Sequence, residues 1–307
     1  MIAVENLFKT YGKRFALNDV SFEVPAHEIF GFVGPNGAGK TTTLRILAAL
    51  LEPTAGRAFI DGTDVTKNRY KVHTSIGYMP DFFGVYDQLT VAEYLDFYGS
   101  CYRQPKARRK KVVEDLLALV GLSDRANQPV NTLSRGLKQR ACLARALVHD
   151  PAVLLLDEPA SGLDPRARVE MREILKELQG MGKTIVISSH ILPELTELCS
   201  MIGIIDHGAL RASGPVQEVI ARLGSGRRLR ITVVGDKNDA AAVLKPLHSI
   251  RDVKTDNGAI EAEFEGDDVT ASEILFALTS SGIRVSSFSR VDGGLEDAFM
   301  RATSEGV

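Results

Sequence analysis

The first 24 positions show segments in which apolar and polar residues alternate, as in Val20-Ser21-Phe22-Glu23-Val24. This period of two predicts an antiparallel sheet with one face toward the core, and Tyr11 falls on it. Unbroken apolar runs follow at Ile29-Phe30-Gly31-Phe32-Val33 and Val153-Leu154-Leu155-Leu156, the pattern of strands covered on both faces, and 184–188 reads as another strand. Helical spacing of apolar side chains marks 41–51, 91–102, 112–120 and the stretch carrying Ala141, Leu143, Ala144 and Leu147. The pattern breaks at Gly224-Ser225-Gly226. Beyond it, 229–234 reads as a strand, 240–247 as a helix, 260–264 as a strand, 270–278 as a helix and 285–291 as a strand. The chain is therefore predicted to be α/β, with one domain over 1–224 that holds a helical subdomain at about 82–145, and a small α+β domain of ferredoxin-like type over 225–307.

Chemistry enters at the strand ends. Gly34-Pro35-Asn36-Gly37-Ala38-Gly39-Lys40-Thr41, followed by Thr42, fits G-x-x-x-x-G-K-[ST], the phosphate-binding loop between a strand and a helix. Its backbone N–H groups and the helix dipole attract phosphate, Lys40 reaches the β- and γ-phosphates, and the Thr41 hydroxyl coordinates Mg²⁺. The strand at 153–156 delivers Asp157 and Glu158 to its carboxyl end. Two carboxylates there divide the work, Asp157 holding Mg²⁺ and Glu158 orienting or deprotonating the water that attacks the γ-phosphate.

With these motifs in order, the sequence resembles the nucleotide-binding subunit of an ABC transporter. Leu133-Ser134-Arg135-Gly136-Leu137-Lys138-Gln139-Arg140 resembles the family's signature loop, Ser161-Gly162-Leu163-Asp164 its D-loop and His190 its switch histidine. Tyr11 stands where the family stacks an aromatic ring on adenine. The resemblance runs over about 1–224 and implies an ABC-type P-loop ATPase fold: a mixed core sheet with an antiparallel β subdomain and a helical subdomain. It also implies two copies packed head to tail, each ATP lying between the phosphate loop of one and Ser134 and Gly136 of the other. Taken alone, Ser134 is equally a helix N-cap, and a cap with free N–H groups is also an anion site. Three positions depart from the pattern. Asp81 stands where the family has a glutamine that touches Mg²⁺ and the membrane partner; a carboxylate ligates a hard cation but lacks the amide donor. Arg135 replaces a glycine and either adds charge near phosphate or points to solvent, and Leu137 replaces a glutamine. Leu295-Glu296-Asp297-Ala298-Phe299 resembles a tail of type-two ABC exporter ATPases, whose membrane permease is a separate chain; it points to export.

Composition narrows the picture. The chain has 307 residues and a net charge of −2, which argues against a general nucleic-acid binder. No apolar stretch approaches a membrane span, and the N-terminus lacks the pattern of a signal peptide, so a cytoplasmic protein held at the membrane by its permease is expected. Cys101, Cys142 and Cys199 are too widely spaced for a disulfide framework or a C-x-x-C metal site. Tyr94, Phe97, Tyr98 and Tyr102 form a helical stripe that packs in the core or, with Phe82, Phe83 and Tyr86, lines a groove for the permease. The basic run at 106–111 is a solvated face or a contact with anionic lipid headgroups. For 225–307, regulation, dimer support and plain extension are all open. An ATPase working on ribosomes or DNA is the alternative, but such relatives usually carry a second cassette, a coiled-coil insertion or zinc cysteines, none of which occurs here.

Overall fold

A computed structural model describes residues 1–82, 84, 88–223, 227–256, 259–291 and 295–304. The chain divides into two compact units, Met1–Val216 and Gln217–Val307. The break at 224–226, where the sequence pattern put the boundary, lies outside the described residues.

The first unit begins with β1 (Ile2–Tyr11) and β2 (Arg14–Val24), an antiparallel pair whose inward residues Ile2, Val4, Leu17, Val20 and Val24 are buried. Next come β3 (Ile29–Val33), α1 (Lys40–Leu47), β4 (Ala55–Ile60), β5 (Thr63–Asp64), α2 (Arg69–Ser75) and β6 (Ile76–Met79). After them lie α3 (Val91–Cys101), α4 (Lys106–Leu119), α5 (Arg135–Leu147), β7 (Val153–Asp157), α6 (Pro165–Gly180), β8 (Thr184–Ser189), α7 (Leu192–Leu198), β9 (Met201–Asp206) and β10 (Ala209–Pro215), and α8 (Val216–Leu223) starts on the last residue of this unit and otherwise falls in the second. An antiparallel sheet in the order β2-β1-β4-β5 and a six-stranded sheet in the order β10-β9-β3-β8-β7-β6 organise these elements. The second sheet is parallel except for β10 against β9. Phe22 of the first sheet stacks on Phe30 of the second, ring centroids 5.1 Å apart and ring planes nearly parallel, in a core shared with Leu44 and Leu47 of α1.

The predicted helix at 41–51 is shorter than its apolar pattern. It stops at Leu47 because Ala49 turns to a left-handed φ of 55° and the N–H groups of Leu50 and Leu51 both return to the Arg45 carbonyl. The predicted 112–120 helix begins earlier, at Lys106, so the basic run forms its first turns; of these residues Arg109 is tied to Asp96.

After α8 the second unit runs β11 (Arg227–Val234), α9 (Lys237–Leu244), β12 (Ile250–Asp256), β13 (Ala259–Phe264), α10 (Asp268–Ser280), β14 (Arg284–Val291) and α11 (Leu295–Ser304). Its sheet is antiparallel in the order β12-β13-β11-β14. The predicted β-α-β-α-β order is thus corrected to β-α-β-β-α-β, the split arrangement of ferredoxin-like units, because β12 was hidden. Ile250-Arg251-Asp252-Val253-Lys254 alternates only weakly: it is an edge strand with mostly exposed charges, the usual protection of a sheet edge. Leu229, Ile231, Ile260 and Phe264 pack against Leu244, Ile274 and Leu278 to give this unit its own core.

Candidate nucleotide site

Pairing register places the chemistry. Val33 of β3 is opposite Ser189 of β8, Ser188 of β8 is opposite Asp157 of β7, and Leu156 of β7 is opposite Met79 of β6. Four parallel strands therefore finish together, and the loops that leave them converge at the carboxyl edge of the sheet, where open α/β sheets bind ligands. The residues predicted from the sequence at 34–42, 81, 157–158 and 190 all follow these ends.

Between β3 and α1 the chain makes the phosphate-loop turn. Gly39 is the N-cap of α1 at φ 115°, and a Cβ there would stand 2.7 Å from the Ala16 carbonyl oxygen, so only glycine fits. This cap supplies no side-chain hydrogen bond and the first turn holds no acidic residue, which leaves the helix N-terminus suited to an anion. Lys40 is buried and its Nζ donates to the Gly34 carbonyl at 2.6 Å while lying 3.5 Å from Glu158 Oε1.

Asp157 and Glu158 share a bracket from β8. The Ser188 hydroxyl donates to Asp157 Oδ1 at 2.6 Å and accepts from the Glu158 N–H at 2.9 Å. Asp157 is 1% exposed, so this charge-assisted bond, worth about 1.5–3 kcal/mol, sets its direction. Glu158 adopts φ 51°, a left-handed conformation costing about 1–2 kcal/mol for a residue with a Cβ. Such a conformation lasts only where the surroundings enforce it, and here it turns the carboxylate to lie between Lys40 and His190, whose Nδ1 is 2.8 Å from Glu158 Oε2.

A cleft of about 390 Å³ opens over these groups. Pro35, Asn36, Gly37, Gly39, Lys40, Thr41 and Thr42 form one wall, and Tyr11, Asp81 and Glu158 also line it. Tyr11 is half exposed, with Lys9 Nζ 5.4 Å from its ring centroid. Arg14 and Ala16 line the cleft as well and were missed from the sequence, since nothing in an alternating strand start distinguishes a cleft-facing arginine. Gly34 and Ala38 are buried behind the loop. Among the described residues no three His, Cys, Asp or Glu side chains gather into a metal site, so Mg²⁺ at Thr41 and Asp157 would need phosphate oxygens and water to complete its shell.

Ser134 and Gly136 do not line this cleft. They form the N-terminus of α5, where Ser134 is the N-cap and its hydroxyl accepts from the Leu137 N–H at 3.4 Å. Arg135 does not reach the cleft of its own chain either; its guanidinium lies over Gly162. Phe82 is exposed, whereas Phe83 and Tyr86 lie outside the described residues. Within the aromatic stripe Tyr94 is fully buried, Tyr98 lies over Arg145 and Tyr102 stacks on His149.

A family model described as ABC transporter matches residues 17–161. The linearmycin resistance ATP-binding protein LnrL of Bacillus subtilis (strain 168) is 32% identical over 305 residues, covering 99% of this chain and 98% of that protein. The daunorubicin resistance ATP-binding protein DrrA3 of Streptomyces coeruleorubidus is 31% identical, covering 99% and 96%. A solved dimer of an ATP-binding cassette in a post-hydrolysis state with ADP and Pi matches with a TM-score of 0.65 at 28% identity, covering 70% of this chain and 98% of that one. Near-complete overlap with the two resistance proteins and the strand-end arrangement lead to one assignment: the chain belongs to the ABC transporter family, among its ATP-binding proteins.

Proposed function

We propose that two copies of this chain close on ATP and Mg²⁺ and that hydrolysis drives export through a separate membrane permease, the chain lying at the cytoplasmic side of the membrane. The observation that carries this reading is the carboxylate of Glu158, held between Lys40 and His190 at the mouth of the cleft. A carboxylate so placed accepts the proton of an attacking water, while Lys40 and the α1 N-terminus meet phosphate charge and His190 steadies the other side. Thr41 and Asp157, with Asp81 as an added carboxylate, hold the Mg²⁺, whose chemistry is to neutralise charge building on the phosphate oxygens. Tyr11 offers a ring face to adenine at the open end.

Ser134 and Gly136 are left for the nucleotide of the other copy, since they are absent from the lining of their own cleft; the dimeric solved cassette supports that arrangement. For the permease we assign a groove of about 240 Å³ lined by Leu50, Tyr78, Tyr98, Tyr102, Arg145 and His149. Aromatic and apolar surface beside one cation suits a docking segment. Export is favoured by the names of the resistance relatives and by the Nod factor export ATP-binding protein I of Ralstonia nicotianae, 38% identical over 72% of this chain.

Glu158→Gln tests the chemistry. The amide keeps size and hydrogen bonding but accepts no proton, so the variant binds Mg-ATP with near wild-type affinity while turnover falls about a hundredfold or more. Turnover close to wild type would remove Glu158 from the role.

A further inference from the structure

We propose that Arg135 is a positioning residue that locks the loop 161–164 onto the first turn of α5, so that each chain presents Ser134 and this loop as one rigid edge. Gly162 has a φ of 70°, and a Cβ built on it would stand 2.5 Å from the Arg135 guanidinium carbon, so the guanidinium rests directly on the glycine. One turn further along α5, buried Gln139 donates from Nε2 to the Ser161 carbonyl at 3.0 Å. Between these two, Leu163 is buried with its Cδ2 3.3 Å from the position a Cβ would take on Gly136. From the other side Arg168 of α6 donates through Nε to the Leu163 carbonyl at 3.0 Å. The loop is thus held at three successive residues, and each of the three meets the helix whose cap is Ser134, with Arg168 of α6 adding a fourth hold at Leu163.

The Arg135 side chain makes no hydrogen bond or ion pair among the described residues, so its contact with Gly162 is packing of a flat group on exposed backbone. A glycine at position 135 would leave that backbone uncovered, and α5 would hold the loop only through the Gly136 contact with Leu163 and through Gln139. This role rests on the head-to-tail reading for its consequence, since the edge matters only if the other copy's nucleotide meets it. The lock itself lies within one chain.

The test is a double-variant cycle on the full chain, reading kcat, KM for ATP and the thermal midpoint of Gly162→Ala, Arg135→Ala, the double variant and Arg135→Met. Gly162→Ala should lower kcat about tenfold because the methyl ejects the guanidinium and an alanine is strained at φ 70°, with KM changed less than about twofold because the phosphate loop is untouched. Arg135→Ala should lose about fivefold, and the double variant should be no worse than Gly162→Ala alone, the clash being gone. Arg135→Met, which keeps a long side chain over the glycine without charge, should stay within about twofold of wild type. Losses that multiply in the double variant, or a methionine variant as poor as the alanine one, would overturn the lock, the second result by making charge rather than packing the cause. Thermal midpoints should show the same non-additivity in one chain. If Glu158→Gln stays monomeric in ATP by sedimentation, the head-to-tail reading fails, and the midpoint cycle alone then decides the lock.

Discussion

At the scale of single residues, the site depends on groups that fix one another's direction. Ser188 holds both Asp157 and Glu158, and Glu158 in turn meets Lys40 and His190, so groups at the ends of β3 and β8 act on the two carboxylates at the end of β7. Asp81 is the residue whose consequence is easiest to measure. It lines the cleft beside Thr41, and as a hard oxygen ligand it would strengthen Mg²⁺ binding. Asp81→Ala should raise the Mg²⁺ concentration for half-maximal ATPase activity about three- to tenfold, a loss of one ligand worth about 0.7–1.4 kcal/mol. An unchanged magnesium titration would leave Asp81 as a surface residue. The positions of 34–42, 157 and 158 were legible in the sequence because spacing and residue type there answer to phosphate and metal chemistry. Ser188 was not singled out, since a serine at a strand end has no distinguishing neighbour in the chain and acquires its role only when β8 pairs with β7.

At the scale of elements, buried strands and long helices were readable and edges were not. β3 and the first four residues of β7 are apolar, and both strands are fully buried, so pattern and packing agree. β12 failed that test because an edge strand need not alternate, and the end of α1 failed because Ala48, Ala49, Leu50 and Leu51 stay apolar after the helix has stopped. The packing of α5 against α3 and β6 has a pH signature. His149 stacks on Tyr102 at 3.8 Å and its Nε2 is 2.8 Å from the Ile76 carbonyl oxygen, and burial holds its pKa below the ordinary 6.5. A lowered folded pKa means that the unfolded chain takes up the proton first as pH falls, so this contribution to stability is present above pH 6.5 and is lost as pH drops toward the folded value. His149→Gln removes the titrating group. The melting temperature of wild type should therefore fall between about pH 7 and 5 more steeply than that of the variant, and equal slopes would show that His149 does not carry the dependence.

At the scale of the whole molecule, two compact units carry separate cores, and every residue of the proposed nucleotide site precedes the second. A chain ending at Leu223 should fold and bind ATP with affinity within about threefold of the full chain, because no core residue of the first unit is removed. Insoluble protein, or soluble protein blind to nucleotide, would mean that the two units share more than the chain. The change of periodicity in the sequence points to a boundary near 224, whereas the structure divides the chain after Val216; the use of two copies is written nowhere in a single chain and comes only from the resemblance. That use is the central claim, and mixing two dead variants tests it most directly. Lys40→Ala removes the phosphate-loop ammonium and Ser134→Arg puts bulk and charge on the α5 cap, so each homodimer has two damaged sites. In a mixed dimer one interface combines both lesions, and the other pairs an intact Lys40 with an intact Ser134. ATPase activity should reappear on mixing and rise more steeply than linearly with protein concentration where dimerisation limits. Mixtures that stay inactive, with wild-type specific activity independent of concentration, would contradict the head-to-tail account.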